Sequence, residues 1–255
     1  IGWFVDKISK HYKKNLPIVL LTKGLAIVDN ELTTLSDKIK KLLKEQGHDE
    51  INISAIKGPC LAAGLANKMR TGTVIANPDI KEAQFLKKII STKFYSTEIS
   101  NDLNGVELSG AIKNIYSMLI GASEGLSNSK APLEIQSKYY LNTAASLIHR
   151  SISEMVEFVS HYGGNAETVY GLAGLGDLYV SAIGGRNSLM GKYLGQGNLY
   201  KEAKEKFMKN ITVEGAQLAL EIGPKILKDL NAKQFPLMFS MLNTICGNKK
   251  LEINW

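Results

Sequence analysis

The pattern of apolar and polar positions changes its character once along the chain. In the first part, short apolar runs rich in β-branched residues alternate with amphipathic stretches. The runs that predict strands lie at 18–22, 51–56, 73–76 and 94–96, and the stretches that predict helices lie at 4–12, 34–46, 60–70 and 81–90. Such alternation is typical of helices packed on a parallel sheet. Ser36 is one possible N-cap for the second of these helices.

The second part shows helical periodicity and almost no strand pattern. Helical spacing of apolar residues runs through 105–126, 131–161, 165–171, 187–195, 212–230 and 235–246. The change from the alternating pattern to the helical pattern falls near residues 101–104. We therefore predict α/β followed by all-α, with a parallel sheet over residues 1–104 and a helical part over residues 105–255.

Composition narrows the class of protein without identifying it. The chain has 255 residues, of which 44% are hydrophobic and 22% charged, as in ordinary globular proteins. The most apolar run, residues 16–21, is too short to span a bilayer, and the first ten residues lack the order of a signal peptide. Two cysteines, Cys60 and Cys246, make no disulfide framework. These features predict a cytoplasmic protein without a membrane span.

The net charge of +7 admits two interpretations. Many lysines have acidic neighbours at helical spacing, which favours a solvated surface, although a general attraction for small anions stays open. No aromatic residues interleave with a basic run, so we expect no nucleic-acid partner. The four histidines, including His149 and His161, lack ligand spacing, and we expect no metal.

Lys113 lies in a predicted helix but off its apolar face. That face consists of Leu108, Ile112, Ile115 and Leu119. The neighbours of Lys113 one helical turn away are Ser109, Gly110, Tyr116 and Ser117. Small neighbours allow close approach of a ligand and desolvation, which lowers the pKa of a lysine towards use as a general acid or base. The alternative is a lysine that faces solvent.

Glycines surround two charged residues in segment 171–187. Three glycines precede Asp177, and a glycine pair precedes Arg186 and Asn187. Backbone N–H groups at such a helix start, together with a guanidinium, suit a phosphate group, and Asn187 suits a cap. The alternative is a flexible turn with an incidental arginine. The GLAGLG run at 171–176 follows a helix rather than a strand, so it does not predict a dinucleotide-binding turn.

Two predicted strands end in residues that could face a ligand cleft. Lys23 follows the first strand, and segment 58–62 follows the second. Ligands of open α/β sheets bind beyond the carboxyl ends of the strands. An ordinary lysine at a strand exit is the alternative for Lys23. Cys60 has no suggestively spaced histidine partner, so we expect a small, semi-buried thiol rather than a nucleophile.

Five segments occur in the order found in one enzyme family. They are 22–25 (TKGL), 58–62 (GPCLA), 110–114 (GAIKN), 171–187 (GLAGLGDLYVSAIGGRN) and 213–215 (VEG). Together they resemble the NAD(P)-dependent glycerol-3-phosphate dehydrogenases. The resemblance implies interconversion of dihydroxyacetone phosphate and sn-glycerol 3-phosphate by hydride transfer, with NAD or NADP as cofactor. It also implies a partial Rossmann-like dinucleotide-binding domain over residues 1–104 and a helical substrate-binding domain over residues 105–255. A role in glycerophospholipid synthesis and a homodimer are implied as well.

The resemblance assigns roles to particular residues. Lys113 matches the general acid/base, Lys23 a lysine that contacts substrate and cofactor, and Asp177 a carboxylate that orients the lysine and the substrate. The positions that match substrate-binding residues are Lys23, Gly58, Cys60, Lys113, Asn114, Asp177, Gly185, Arg186 and Asn187. Those that match cofactor-binding positions are Lys23, Ala62, Arg186, Thr212 and Glu214.

The chain departs from the family pattern in three places. Cys60 stands where serine or threonine is usual, and Gly185 stands where many bacterial members have serine. The first βαβ unit, with its glycine-rich turn, has no counterpart in the sequence, so we expect a sheet without its central strands and very weak dinucleotide binding. One alternative is a truncated, cofactor-deficient remnant that acts as a binding or dimerisation module. Another is a different β-hydroxyacid or sugar-acid dehydrogenase with a similar helical domain.

Overall fold

The computed structural model describes residues 1–13, 16–128 and 136–254. The first part of the chain forms α1 (Gly2–Ser9), β1 (Ile18–Leu20), β2 (Leu25–Val28), β3 (Glu31–Thr34), α2 (Leu35–Glu45), β4 (Ile53–Lys57), α3 (Ala62–Ala66), β5 (Thr71–Ala76), α4 (Ile80–Ile90) and β6 (Tyr95–Ser100). The second part is helical: α5 (Leu103–Asn128), α6 (Gln136–His161), a 3₁₀ turn (Ala166–Tyr170), a π turn (Leu172–Gly176), α7 (Asp177–Ile183), α8 (Arg186–Gly195), α9 (Tyr200–Phe207), α10 (Glu214–Asp229) and α11 (Pro236–Cys246). The prediction of α/β followed by all-α is confirmed.

The main sheet has the strand order β1-β4-β5-β6 and is mixed. The pairs β1–β4 and β5–β6 are parallel, whereas β4 and β5 are antiparallel, with Ala55 opposite Ala76. The predicted parallel pairing is thus confirmed for β1–β4 and β5–β6, and it is wrong only for β4 and β5. The reason is the connection between Lys57 and Thr71, where helix α3 has only five residues. A parallel pair needs a crossover that packs across the sheet, and a single helical turn supplies none.

A hairpin that the sequence reasoning missed follows β1. Strands β2 and β3 pair through a two-residue turn, in which Asp29 and Asn30 have φ of 51° and 62°. Positive φ at both turn positions gives the turn the twist that an antiparallel hairpin prefers. Leu25 packs into the helical core, whereas Ala26 packs into the core beneath the sheet. The hairpin thus joins the two parts of the chain directly after Lys23.

Several predicted helix bounds shift for local reasons. Helix α2 is capped by Thr34 rather than Ser36, since Thr34 Oγ1 accepts a hydrogen bond from the Asp37 N–H at 3.3 Å. Helix α3 is much shorter than the predicted 60–70 and buries none of its residues. Of the predicted helix 131–161, residues 131–135 lie outside the described part of the chain. None of the helices in the described ranges combines the length and the apolar character that a bilayer crossing needs.

Helix α5 runs through the centre of the helical part, and glycines bring its neighbours close. A Cβ at Gly191 of α8 would overlap the Met118 carbonyl oxygen, and a Cβ at Gly215 of α10 would overlap the Asn114 carbonyl oxygen. Such contact between backbones is possible only without side chains. The starts of α8 and α10 therefore lie beside the segment of α5 that carries Lys113.

Candidate active site

A cavity of about 280 Å³ lies where the end of β1 meets helices α5, α7 and α8. Most of the residues singled out in the sequence line it, although they come from segments far apart in the chain. Those that line it are Lys23, Cys60, Ala62, Lys113, Asn114, Asp177, Gly185, Arg186, Asn187 and Glu214. Gly58 and Thr212 do not line this cavity.

Lys113 is buried at the bottom of the site, with 3% of its surface exposed. Its Nζ donates to Asp177 Oδ1 at 2.9 Å and also contacts Ser181 Oγ. Burial disfavours the charged amine and lowers its pKa to about 8, although the negative charge of Asp177 opposes this change. The alternative of a solvent-facing lysine is wrong. Helix α7 covers the amine with the side chains of Asp177 and Ser181.

Asp177 joins two lysines across the site. Its Oδ1 pairs with Lys113, and its Oδ2 pairs with Lys23 Nζ at 2.5 Å. The Asp177 side chain is 4% exposed and that of Lys23 is 23% exposed. One carboxylate thus faces two ammonium groups, which leaves an excess of positive charge in a partly dehydrated cavity. Such an excess attracts a small anion.

The start of helix α8 forms one wall of the cavity. Gly185 is its N-cap, with a φ of 154° that favours glycine. The N-terminal end of a helix carries partial positive charge and N–H groups without helical acceptors, both of which favour an anion. Arg186 is half exposed and pairs with Glu214 at 2.9 Å across the mouth of the cavity. This wall offers the donors that a phosphate group needs.

Asn187 has a different role from the cap that its position suggests. Its Nδ2 donates to Asn114 Oδ1 at 2.9 Å, and its Oδ1 accepts from the Gly215 N–H at 2.9 Å. Both asparagines are buried. These hydrogen bonds fix the starts of α8 and α10 against α5. The N-cap of α8 is Gly185, and Asn187 instead accepts from an N–H in the first turn of α10. A direct bond from either asparagine to substrate stays a prediction.

Three other predicted site residues differ from the rest. Gly58 has a φ of 135°, and a Cβ there would lie 3.0 Å from Thr73 Cα, so it allows the chain to pass closely over β5. Cys60 is exposed rather than semi-buried, because the short α3 packs little against the rest of the chain. Thr212 is exposed just before α10. Contacts of these residues with substrate or cofactor stay predictions.

The sequence reasoning did not find Ser181. It lies four residues after Asp177, so both side chains point from one face of α7 towards Lys113. The spacing was readable, but the glycines on both sides of this segment obscured its helix. The described ranges contain no group of three or more His, Cys, Asp and Glu side chains that could hold a metal ion.

A second and larger cavity, of about 580 Å³, adjoins the first. Lys23 and Glu214 line both cavities. The second also has apolar walls from Leu25, Leu35 and Leu218. The two cavities therefore meet at Lys23 and Glu214. None of the described strands leads into a glycine-rich turn that could hold the diphosphate.

Comparison with known proteins decides the family. The model of the NAD-dependent glycerol-3-phosphate dehydrogenase C-terminus matches residues 102–253, and that of the N-terminus matches residues 1–83. The chain belongs to this family. The glycerol-3-phosphate dehydrogenase family resemblance found in five short segments is thereby confirmed over most of the chain.

Individual members of the glycerol-3-phosphate dehydrogenase family agree with this assignment. An NADP⁺-dependent glycerol-3-phosphate dehydrogenase of Archaeoglobus fulgidus is 33% identical over 86% of this chain, and the match covers 64% of that relative. A glycerol-3-phosphate dehydrogenase [NAD(P)⁺] of Mesoplasma florum is 32% identical over 93% of this chain and 67% of its own length. The crystal structure of the Coxiella burnetii glycerol-3-phosphate dehydrogenase is 26% identical, with a TM-score of 0.78 over 98% of this chain and 70% of that one. The chain thus spans about two thirds of the length of these relatives.

Proposed function

We propose that the protein is an NAD(P)-dependent sn-glycerol-3-phosphate dehydrogenase, which interconverts dihydroxyacetone phosphate and sn-glycerol 3-phosphate. The observation that carries the proposal is the buried Lys113 amine, paired with Asp177, in a cavity whose wall is the start of α8. A proton donor and an anion site in one cavity are what reduction of a phosphorylated ketone requires.

Lys113 would supply the proton of the reaction. In the direction of reduction, its ammonium gives a proton to the ketone oxygen while the carbonyl carbon gains a hydride. In the reverse direction, the neutral amine accepts the proton of the alcohol. Because burial lowers the pKa of Lys113 to about 8, both protonation states are accessible near neutral pH. When bound, the nicotinamide cofactor supplies or accepts the hydride.

Asp177, Lys23 and Ser181 would act on this proton transfer. Asp177 and Ser181 hold the Lys113 amine in one orientation, as their contacts with Nζ indicate. Lys23 shares the carboxylate and adds positive charge on the open side of the cavity. An alkoxide that forms between the two lysines would be stabilised by both charges.

The phosphate of the substrate would bind at the start of α8. The backbone of Gly184 and Gly185 lines the cavity there, and Arg186 lies at its mouth. Arg186 is 54% exposed, so its guanidinium can leave Glu214 for a phosphate without much loss of packing. This phosphate site favours a phosphorylated substrate over a plain hydroxyacid.

The cofactor would be NAD or NADP, with its nicotinamide end in the second cavity. Lys23, Glu214, Ala62, Arg186 and Thr212 are the residues that we propose near it, on the basis of the family resemblance. Lys23 and Glu214 have the best support, because they line both cavities. A homodimer and a cytoplasmic location complete the proposal, and they rest on the resemblance and on the sequence alone. The alternative of a cofactor-deficient remnant is not favoured, since family models match both parts of the chain.

Calorimetry and a turnover assay on the chain test this proposal together. We expect sn-glycerol 3-phosphate to bind and glycerol to bind far more weakly, because only the former carries the phosphate. We also expect oxidation of NADH or NADPH that depends on dihydroxyacetone phosphate. Equal affinity for glycerol and sn-glycerol 3-phosphate would refute the phosphate site. Binding without any turnover would instead favour the cofactor-deficient alternative.

A further inference from the structure

A third lysine is buried near the site but does not line either cavity. Lys57 ends strand β4 and is 2% exposed. Its Nζ donates to the carbonyl oxygens of Leu20 at 3.3 Å and Thr22 at 2.9 Å. A buried ammonium is costly unless its hydrogen bonds are made, so these two bonds matter for the fold.

The two carbonyl groups belong to the segment that carries Lys23. Strands β1 and β4 pair in register only as far as Leu20 and Ala55. Beyond that point the sheet no longer holds the chain. The Lys57 side chain continues the connection, since it starts on β4 two residues after Ala55 and reaches the carbonyl oxygen of Thr22. The residue directly after Thr22 is Lys23.

The stem of Lys57 lies against helix α5. A Cβ at Gly110 would meet the Cγ and Cδ of Lys57 at 3.1 Å, and the three atoms nearest to it all belong to Lys57. Gly110 precedes Lys113 by one helical turn. Glu107, one turn further back, is 1% exposed, and its negative charge acts on Lys57. Lys57 therefore contacts both the segment that leads from β1 to Lys23 and the helix α5 that carries Lys113.

We propose that Lys57 is a positioning residue for Lys23. By holding the Thr22 carbonyl group, Lys57 keeps Lys23 paired with Oδ2 of Asp177, so that Oδ1 of Asp177 is available to pair with Lys113. Its role in turnover rests on the function proposed above for Lys113. Lys57 acts through Lys23 and need not touch the substrate. The charged groups around this arrangement are Lys23, Lys113, Asp177, Glu107 and Glu214.

The test is the pKa of Lys113, measured by NMR of ¹³Cε-lysine in the full chain without substrate. The positive charge of Lys23 lowers the pKa of Lys113. If Lys57→Met releases Lys23, that influence weakens and Asp177 pairs with Lys113 alone, so the pKa of Lys113 should rise by about one unit. Lys23→Met should raise it by a similar amount. In the double variant, the pKa of Lys113 should rise no further than it does in Lys23→Met. Lys41→Met, at an exposed position, is the matched control and should leave the pKa unchanged.

An unchanged pKa of Lys113 in Lys57→Met, or equal and additive shifts in the double variant, would overturn the proposal. If Lys57→Met does not fold, Gly110→Ala replaces it, because the three atoms nearest to the added methyl group all belong to the Lys57 stem. A rise in the pKa of Lys113 then supports the proposal, and an unchanged value overturns it.

Calorimetry with sn-glycerol 3-phosphate separates this inference from the proposed function. We expect the dissociation constant to increase about tenfold in Lys57→Met, which corresponds to the loss of roughly one charged hydrogen bond. When Lys57→Met is added to Lys23→Met, the dissociation constant should change little. If the parent chain does not bind sn-glycerol 3-phosphate, the proposed function fails, while the NMR result still decides whether Lys57 positions Lys23.

Discussion

Replacement of Asp177 by asparagine tests the electrostatics of the site most directly. The variant keeps the size of the side chain but removes the charge shared by Lys113 and Lys23. Lys113 then remains buried without a counter-ion. Loss of one partner from a buried ion pair costs roughly 3–5 kcal/mol of unfolding free energy. We expect the lower end of this range at pH 7, because Lys23 is partly exposed and can be hydrated.

The pH dependence of this loss gives the sharper check. The pKa of Lys113 is lowered in the folded protein from 10.5 to about 8. Between these two values the unfolded chain binds more protons than the folded one, so the stability of the parent rises with pH. From pH 7 to pH 9.5 this gain is roughly 2 kcal/mol for one such lysine. Without Asp177 the pKa of Lys113 is lower still, so the variant gains more stability than the parent between pH 7 and pH 9.5. The destabilisation caused by Asp177→Asn should therefore be about 1 kcal/mol smaller at pH 9.5 than at pH 7.

Urea denaturation followed by circular dichroism at pH 7 and pH 9.5 measures both quantities. Asp29→Asn is the control, since Asp29 pairs with the exposed Lys41 and its loss should not change the unfolding free energy at either pH. An equal loss of stability in Asp177→Asn at both pH values would contradict the argument that Lys113 is held charged by this carboxylate. No loss at pH 7 would contradict the buried pair itself.

Three further substitutions test other parts of the structure. Lys113→Ala should abolish turnover with dihydroxyacetone phosphate while circular dichroism shows a folded chain, and retained turnover would remove Lys113 from its catalytic role. Arg186→Ala should chiefly raise the Michaelis constant for the substrate, by about tenfold or more, and an unchanged constant would count against the phosphate site. Gly191→Ala should destabilise the fold by at least about 2 kcal/mol, because a Cβ there overlaps the Met118 carbonyl. An unchanged temperature of thermal unfolding would refute the close approach of α5 and α8.

The parts of the fold that depend on local periodicity could be predicted from the sequence. The apolar stripe of α5 through Leu108, Ile112 and Ile115 is fully buried, as its spacing predicts. The antiparallel pairing of β4 with β5 could not be predicted in this way. Parallel and antiparallel strands carry the same apolar pattern when both faces are buried, and the short α3 alone indicates the direction of the connection.

The candidate site could be predicted only in part, because its geometry depends on contacts between distant residues. The residue type and the small neighbours of Lys113 indicate a general acid or base. The burial of Lys113, however, depends on α7, where Asp177 lies 64 residues later in the chain. The contact of Ser181 with Lys113 and the bonds that join Asn114, Asn187 and Gly215 depend on how the helices pack against one another. A helical period gives the face on which a side chain lies, but the partner on that face is set by tertiary packing.

The charge balance of the assembled site explains why a phosphorylated substrate suits it. Lys57 and Lys113 are both buried, and burial lowers the pKa of each to about 8. Lys23 adds a third positive charge. Asp177 forms ion pairs with Lys23 and Lys113, Glu107 acts on Lys57, and Glu214 acts on Lys113 but is itself paired with Arg186. A phosphate dianion at the start of α8 would offset this excess and favour the charged form of Lys113. Substrate binding would thus protonate the donor that reduction of the ketone consumes, whereas a substrate without a phosphate would leave more of Lys113 neutral.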